Sequence, residues 1–462
     1  MIKIVFTVIA LVAASPALAM SKSPSSLELE VRKIAKAYED LGWFSGTVLL
    51  AQDGKVFYQE AFGYADREKG IKNSIKTKYN LGSIMKHFTA VLVLQQIEKG
   101  TINFDNKLES FDLGFPVATA EKISIRHLLS HSSGFPDIFV AAYREDPLAF
   151  ETLDKKLALL RDAPLLFEPG SESRYSNYGY IVLGAILEKV TGKSFELLLE
   201  EQILAPLKLR DSVFAHDALI KNGSQRYTFS YDGSQKFVGV REHAGPDGGM
   251  ETTAKDTLTF FTALFYTDKL LSRSGSVFGE MFFTDGKWFG SFGGGLGVSA
   301  AIELDLEKNI QVVVLSNSDN LVAELISNRI IAWIKTGNYD SVMLPAHIYT
   351  YNKYAAWGVD KFRLNFRDAY KTDGYRLFIG RALNDLGMAL LREKNWKEAF
   401  DIMETLVIYF PTAPQAYDSL AFAYRNMGDE TRARENFSKA LALSANFQSD
   451  YVSDNYGVVL TN

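Results

Sequence analysis

Two β-hairpin patterns stand at opposite ends of a long, mainly helical stretch, and that arrangement limits what the chain can fold into. The first runs Gly46-Thr47-Val48-Leu49-Leu50-Ala51, turns at Asp53-Gly54 and returns through Lys55-Val56-Phe57-Tyr58. Asp-Gly tolerates the positive φ angles of a tight hairpin turn. In the second, apolar runs over 298–304 and 310–315 flank a turn around Glu307-Lys308-Asn309, and an apolar helix over 321–334 follows. Residues 27–41 carry apolar side chains at helical spacing. Strands at both ends of a helical middle predict an α/β (α+β) domain over residues 27–335, an antiparallel sheet flanked by helices with a helical domain.

The chain has 462 residues, enough for two or three domains. It is 47% hydrophobic and 23% charged, so a substantial core is affordable. The net charge of −5, without a basic stripe, argues against a nucleic-acid partner. Lys3, the apolar run 4–14 and Ala17-Leu18-Ala19 read as a cleavable export signal over residues 1–19. The run is shorter than the ~20 residues a membrane helix needs, and no later segment reads as a span. With no cysteine there is no disulfide framework, no thiol nucleophile and no lipid-anchoring thiol. An exported soluble protein is expected, periplasmic or alternatively secreted.

Beyond residue 335 the pattern changes. Residues 336–372 mix aromatic and basic residues with weak periodicity and read as a linker with room for one helix. Over 373–447, Leu386, Leu390, Ala399, Met403 and Leu406 recur 34 positions on as Leu420, Tyr424, Ala433, Phe437 and Ala440. That period, with Pro411 ending the first unit and Gly428 turning the second, is the arithmetic of tetratricopeptide-like repeats. Two such units fall short of the usual three, so they are expected to lean on a neighbour or a protein partner. Residues 448–462 form a tail.

The chemistry concentrates in two segments. Ser83-Ile84-Met85-Lys86 opens a helix expected over 87–97. Three residues along a helix place Lys86 on the same face as Ser83, and the helix N-terminus favours the charge that develops as a serine attacks a carbonyl. A desolvated lysine can supply the base that a serine nucleophile requires. Alone, the pair reads first as an N-cap serine and a surface lysine. Tyr175-Ser176-Asn177 precedes a helix expected from residue 180. Its phenol can relay protons and its amide can bond both a lysine and a substrate carbonyl.

Together with their flanks these segments resemble the serine β-lactamase and penicillin-binding-protein superfamily, in its class C branch. Ile123-Ser124-Ile125-Arg126-His127-Leu128-Leu129-Ser130-His131-Ser132-Ser133-Gly134, Leu204-Ala205-Pro206-Leu207-Lys208-Leu209 and Gly248-Gly249-Met250-Glu251-Thr252-Thr253 match further landmarks in order. The resemblance implies a β-lactamase/transpeptidase-like fold and acyl transfer through Ser83, with Lys86 and Tyr175 sharing the base role and Asn177 orienting Lys86 and substrate. It also implies an oxyanion hole from the amides of Ser83 and Gly295. One motif departs from the family. Where the superfamily places Lys-Thr-Gly or His-x-Gly, this chain has Phe292-Gly293-Gly294, so Phe292 replaces the basic residue. A lost charge-assisted hydrogen bond, worth about 1.5–3 kcal/mol, lowers rate or affinity roughly ten- to a hundred-fold. The expected substrate shifts from anionic β-lactams toward neutral esters, amides or peptides. The alternative is a catalytically weak binding or scaffold protein that recruits a partner through its repeats.

Other chemistries find no support. His127 and His131 stand four apart, but the glutamate of H-E-x-x-H is missing and no metal site is expected. No G-x-S-x-G elbow or P-loop occurs, and no cofactor is expected.

Overall fold

The computed structural model describes residues 24–214, 220–239, 242–282, 287–444, 447 and 449. The expected export signal lies outside the described residues, as does nearly all of the tail. No described helix is long and apolar enough to cross a membrane.

The two hairpins join in one five-stranded sheet. We label its strands β1 (Gly46–Gln52), β2 (Lys55–Phe62), β3 (Trp288–Gly295), β4 (Val298–Asp305) and β5 (Ile310–Ser316). Their spatial order is β2-β1-β5-β4-β3, and every pairing is antiparallel. The central pairing of β1 with β5, Gly46 opposite Ser316 and Gln52 opposite Ile310, closes the long helical excursion.

Both faces of the sheet are covered, which is why the strands read as unbroken apolar runs rather than alternations. Val48 and Leu50 of β1 point with Ala301, Val312 and Val314 into a core shared with helices Pro24–Asp40 and Val322–Thr336. Leu49 and Ala51, with Ala300, Ile302, Val313 and Leu315, face the larger core. Helices Met85–Glu98, Asn177–Thr191 and Ala254–Tyr266 fill that side. The edge strand β3 lies against the short turn Gly82–Ile84, which brings this edge of the sheet to Ser83.

The remainder of the chain is helical. The stretch read as a linker carries helix Ala346–Thr372, broken at Gly358, where φ is 71° and ψ 166°. Its Phe362, Phe366 and Tyr370 are buried in one core with Leu386, Leu390, Ala399 and Met403. The break divides its buried residues into two short runs, Ile348 to Tyr354 before it and Phe362, Phe366 and Tyr370 at four-residue steps after it, so no single long period runs through the stretch. Helices Ile379–Arg392, Trp396–Tyr409, Pro414–Asn426 and Glu430–Leu443 complete the region. Ala399, Ala433 and Ala440 are all but fully buried, as small residues at close helix packings should be. The region docks on the sheet domain. Ile348 enters the outer-face core, the Tyr231 and Tyr351 rings sit 4.7 Å apart, and Glu393 accepts from Ser230 and pairs with Lys236.

Ala433→Glu places an unpaired carboxylate at a position only 1% exposed. It is expected to destabilise the C-terminal helices by about 3 kcal/mol or more while leaving the sheet domain folded. Circular dichroism on heating should show an early helical transition that is absent from the parent protein.

Candidate active site

Ser83 sits on the turn Gly82–Ile84, which runs directly into helix Met85–Glu98. The helix therefore starts two residues before its expected first residue. Asn80 Oδ1 accepts from the Gly82 amide at 2.8 Å, and Asn80 Nδ2 donates to the Gly249 carbonyl at 3.1 Å, which sets the angle of the turn. Gly293 on β3 comes so close that a Cβ there would lie 2.0 Å from the Leu81 carbonyl oxygen and 3.2 Å from the Ser83 nitrogen. Only glycine permits this approach of strand to turn.

Lys86 lies one turn beyond Ser83 and is 5% exposed. Its three ammonium donors have three acceptors: Ser83 Oγ at 3.2 Å, Asn177 Oδ1 at 2.6 Å and the Asp247 carbonyl at 2.6 Å. Burial pushes its pKa down to about 8, against the opposing pull of the Asp247 and Asp137 carboxylates. The ammonium also lies 4.9 Å from the Tyr175 ring centroid and 5.6 Å from that of Tyr180.

Tyr175 Oη donates to Ser83 Oγ at 2.6 Å. One side of the tyrosine is open, with half of its surface exposed. The other side lies against His131, ring centroids 4.5 Å apart. Burial of the phenol raises its pKa to about 12, with the Ser83 hydrogen bond acting in the other direction, so near neutral pH it is a donor. Ser176 caps the next helix by accepting from the Gly179 amide. That cap starts the helix at Asn177, three residues before the expected position, and places Asn177 in its first turn facing Lys86.

The four residues singled out in sequence thus converge. Gly294 and Gly295 finish β3 beside them, with Gly294 opposite Ser299 and Gly295 opposite Val298. Phe292 is two residues before Gly294 on the same strand and is 39% exposed, its ring beside Gly290. The histidine pair is separate in role. Helix Ile125–Leu129 ends before His131, whose φ is 56°. The Ser124 amide donates to His127 Nδ1 and the Ser176 amide to His131 Nδ1. Burial, and secondly the nearby Lys86, push the His131 imidazole down to about 4. Among the described residues no cluster of three potential metal ligands occurs.

Sequence reasoning missed three contributors. Asp137 accepts both Asn177 Nδ2 bonds, at 3.1 and 3.0 Å. Asp247 contributes its backbone carbonyl, which side-chain identity cannot announce. His87 sits behind Lys86 with Nε2 2.7 Å from Ser291 Oγ on β3, fastening helix to strand. The Asp247 segment is itself fixed, because Pro246 fits against Gly184, where a Cβ would lie 2.2 Å from its Cγ. The Pro246 carbonyl also accepts from Thr89 Oγ1 at 2.6 Å.

When Lys86 loses a proton, two of its three partners, the Asn177 and Asp247 carbonyl oxygens, remain pure acceptors. Only Ser83 Oγ can then donate to the lone pair. The arrangement can therefore take a proton from Ser83 at a defined atom. Reactivity of Ser83 toward a fluorophosphonate is expected to rise with pH through an apparent pKa of about 8, because the neutral amine is the competent form. Rates of adduct formation by mass spectrometry from pH 6 to 10 would check this; a limb near the ordinary lysine value would show a solvated, uninvolved amine.

A β-lactamase family model matches residues 31–333, more than half of the chain. Penicillin-binding protein 4* of Bacillus subtilis is 31% identical over 202 residues, 42% of this chain and 44% of that protein. An N-acetylmuramyl-L-alanine amidase of the same organism is 28% identical over 188 residues, 37% of this chain and 43% of that protein. These matches span less than half of each relative's length. Among solved structures, a penicillin-binding protein from Bacillus halodurans aligns with a TM-score of 0.58 at 27% identity, covering 65% of this chain and 98% of that one. The hydrolase EstCE1 aligns at 0.56 with 24% identity, a likeness of fold, covering 69% of this chain and 99% of that one. With the family model spanning both hairpins and everything between them, the chain belongs to the β-lactamase family of serine hydrolases.

Proposed function

We propose that this protein is an exported serine hydrolase that cleaves neutral esters, amides or peptides through an acyl-enzyme on Ser83. The observation that carries this reading is the buried Lys86, its ammonium bonded to Ser83 Oγ and otherwise only to acceptors. In the reaction, Ser83 Oγ bonds to the substrate carbonyl carbon as its proton passes to Lys86 Nζ, and the carbonyl π pair moves onto oxygen. Collapse re-forms the carbonyl and expels the leaving group, which takes a proton from the Lys86–Tyr175 pair. Water then bonds to the ester carbonyl carbon as it gives a proton to Lys86 Nζ; collapse breaks the bond to Ser83 Oγ, which takes that proton back, and the carboxylic acid leaves. Lys86 is favoured as the base because burial lowers its pKa, whereas that of Tyr175 is raised. The Ser83 and Gly295 amides are assigned to the oxyanion, and the close approach of Gly293 to Ser83 supports that assignment.

Phe292 bears on substrate class. An exposed phenyl group, where relatives of this superfamily place a cation or imidazole, offers apolar surface and no charge for a substrate carboxylate. The same residue favours the second reading, a catalytically weak binding protein. Residues 1–19 are assigned to an export signal and the periplasm to its destination. The helices over 379–443 are assigned to two tetratricopeptide-like units, consistent with second helices starting at 396 and 430, one 34-residue step apart, and are offered as a docking site for a protein partner.

Ser83→Ala is expected to abolish covalent labelling by a fluorophosphonate with the fold unchanged; unchanged labelling, or an adduct on another residue, would overturn the nucleophile. Failure of the parent protein to label at all would favour the binding protein. Phe292→His is expected to raise kcat/KM for anionic substrates about ten-fold or more and to alter short neutral esters little. Efficient penicillin hydrolysis by the parent protein would contradict the assigned substrate class.

A further inference from the structure

We infer that Asp137 is a positioning residue that sets which way round the Asn177 amide faces Lys86, and thereby keeps the lysine lone pair available to Ser83. The inference rests on the proposed role of Ser83 and Lys86 and extends it to a residue outside the motifs.

An asparagine amide has two nearly isosteric ends of opposite hydrogen-bonding character, an acceptor oxygen and a two-donor nitrogen. In the active site the choice has chemical consequences. With Oδ1 toward Lys86, Asn177 takes a proton from the amine and leaves its lone pair for Ser83. With Nδ2 toward Lys86, it donates to that same lone pair and competes with Ser83 for it. The ammonium form of Lys86, with donors only, selects Oδ1 by itself, but the neutral amine, the competent form, is both donor and acceptor and selects weakly.

Asp137 supplies the selection. A carboxylate offers only acceptors, and both of its oxygens meet Asn177 Nδ2, at 3.1 and 3.0 Å. The nitrogen is thus held on the side away from Lys86, and Oδ1 falls 2.6 Å from Nζ. The loop bearing Asp137 is bound at further points to residues 174–176, just before Asn177. The His131 carbonyl accepts from the Arg174 amide at 2.8 Å, His131 Nδ1 from the Ser176 amide at 3.3 Å, and the Pro136 carbonyl from Ser176 Oγ at 3.1 Å. The loop 131–137 therefore serves as a template for Tyr175 and Asn177 together, with Asp137 at its end facing the amide.

Asp137 acts on Lys86 in a second, distinguishable way. Its charge raises the lysine pKa, as does that of Asp247. Around the amine stand these two carboxylates, the Tyr175 and Tyr180 phenols, and the His87 and His131 imidazoles, both pushed down by burial and secondly by Lys86. Removing the Asp137 charge leaves Asp247 as the remaining carboxylate in this set, so the Lys86 pKa falls further.

The test uses the full-length protein with Asp137→Asn, Asn177→Ala and the double variant. An asparagine at 137 can present either an acceptor or a donor, so selection is lost without a change in size. Asp137→Asn is expected to lower kcat on a neutral ester about ten- to a hundred-fold with KM little changed. The acid limb of its pH profile should move to lower pH, and thermal unfolding should stay close to that of the parent. In the Asn177→Ala background the same substitution should lower kcat by less than two-fold, since the amide it orients is gone. An equal loss in both backgrounds, an unmoved acid limb, or a parent-like kcat in Asp137→Asn would each overturn the inference. If Ser83→Ala still hydrolyses the ester, the proposed function fails; if only the Asp137 results disagree, the nucleophile stands and the positioning role falls.

Discussion

One buried amine organises the candidate active site. Holding an ammonium at 5% exposure costs several kcal/mol unless its donors are met, and Lys86 meets that requirement from three separate parts of the chain. Ser83 comes from the turn before its own helix, Asn177 from the first turn of another, and the Asp247 carbonyl from a segment clamped between them. Each acceptor is therefore a packing condition as well as a part of the proposed chemistry. The glycine at 184 exists in this setting to let Pro246 come close enough for the next residue's carbonyl to reach the amine.

The same burial sorts the neighbouring groups by charge. Taking a group out of water disfavours whichever form carries charge. The lysine is pulled toward neutrality, the Tyr175 phenol is kept protonated, and His87 and His131 are kept neutral. Near neutral pH the pocket thus holds one base with a reachable pKa, protonated phenols at Tyr175 and Tyr180, and two uncharged imidazoles hydrogen-bonded to Ser291 and Ser176. A single physical cause, desolvation on the larger core's side of the sheet, separates base from acid without any metal ligand set among the described residues.

Much of this was legible in the sequence, and the parts that were not share a reason. Both hairpins of the sheet announced themselves through apolar runs around turn residues, and Ser83, Lys86, Tyr175 and Asn177 stood out because each bears its chemistry on a side chain at motif spacing. The helix starts were displaced, at Met85 and Asn177, because a short turn and a Ser176 cap extend helices beyond their apolar periodicity. Asp247 could not be read because it works through its backbone. Asp137 follows a proline in a loop, where an aspartate reads as turn chemistry. The stretch 336–372 was read as a linker with room for one helix; the break at Gly358 obscured how far that helix, Ala346–Thr372, extends, and its membership in the C-terminal core depends on tertiary contacts with no local signature.

Those contacts also explain how the helical region meets the catalytic sheet. The short hairpin Tyr227–Phe229 and Gln235–Phe237 lies between them. On one side the Tyr227 amide donates to the Asn317 carbonyl just after β5. Asp319, two residues further on, accepts from the Gly297 amide in the turn that follows Gly295. On the other side Lys236 pairs with Glu393 at the end of helix Ile379–Arg392. The faces enclose a cleft of about 530 Å³ lined by Phe229, Leu296 and Asp319 from the sheet domain and by His347, Met388 and Arg392 from the helices. The chain of contacts ends beside the strand assigned to the oxyanion, so the helical region buttresses that strand's outer turn. Every link is a packed or hydrogen-bonded contact, so the position of that turn depends on the hairpin at 227–237 and, through Glu393, on the helices behind it.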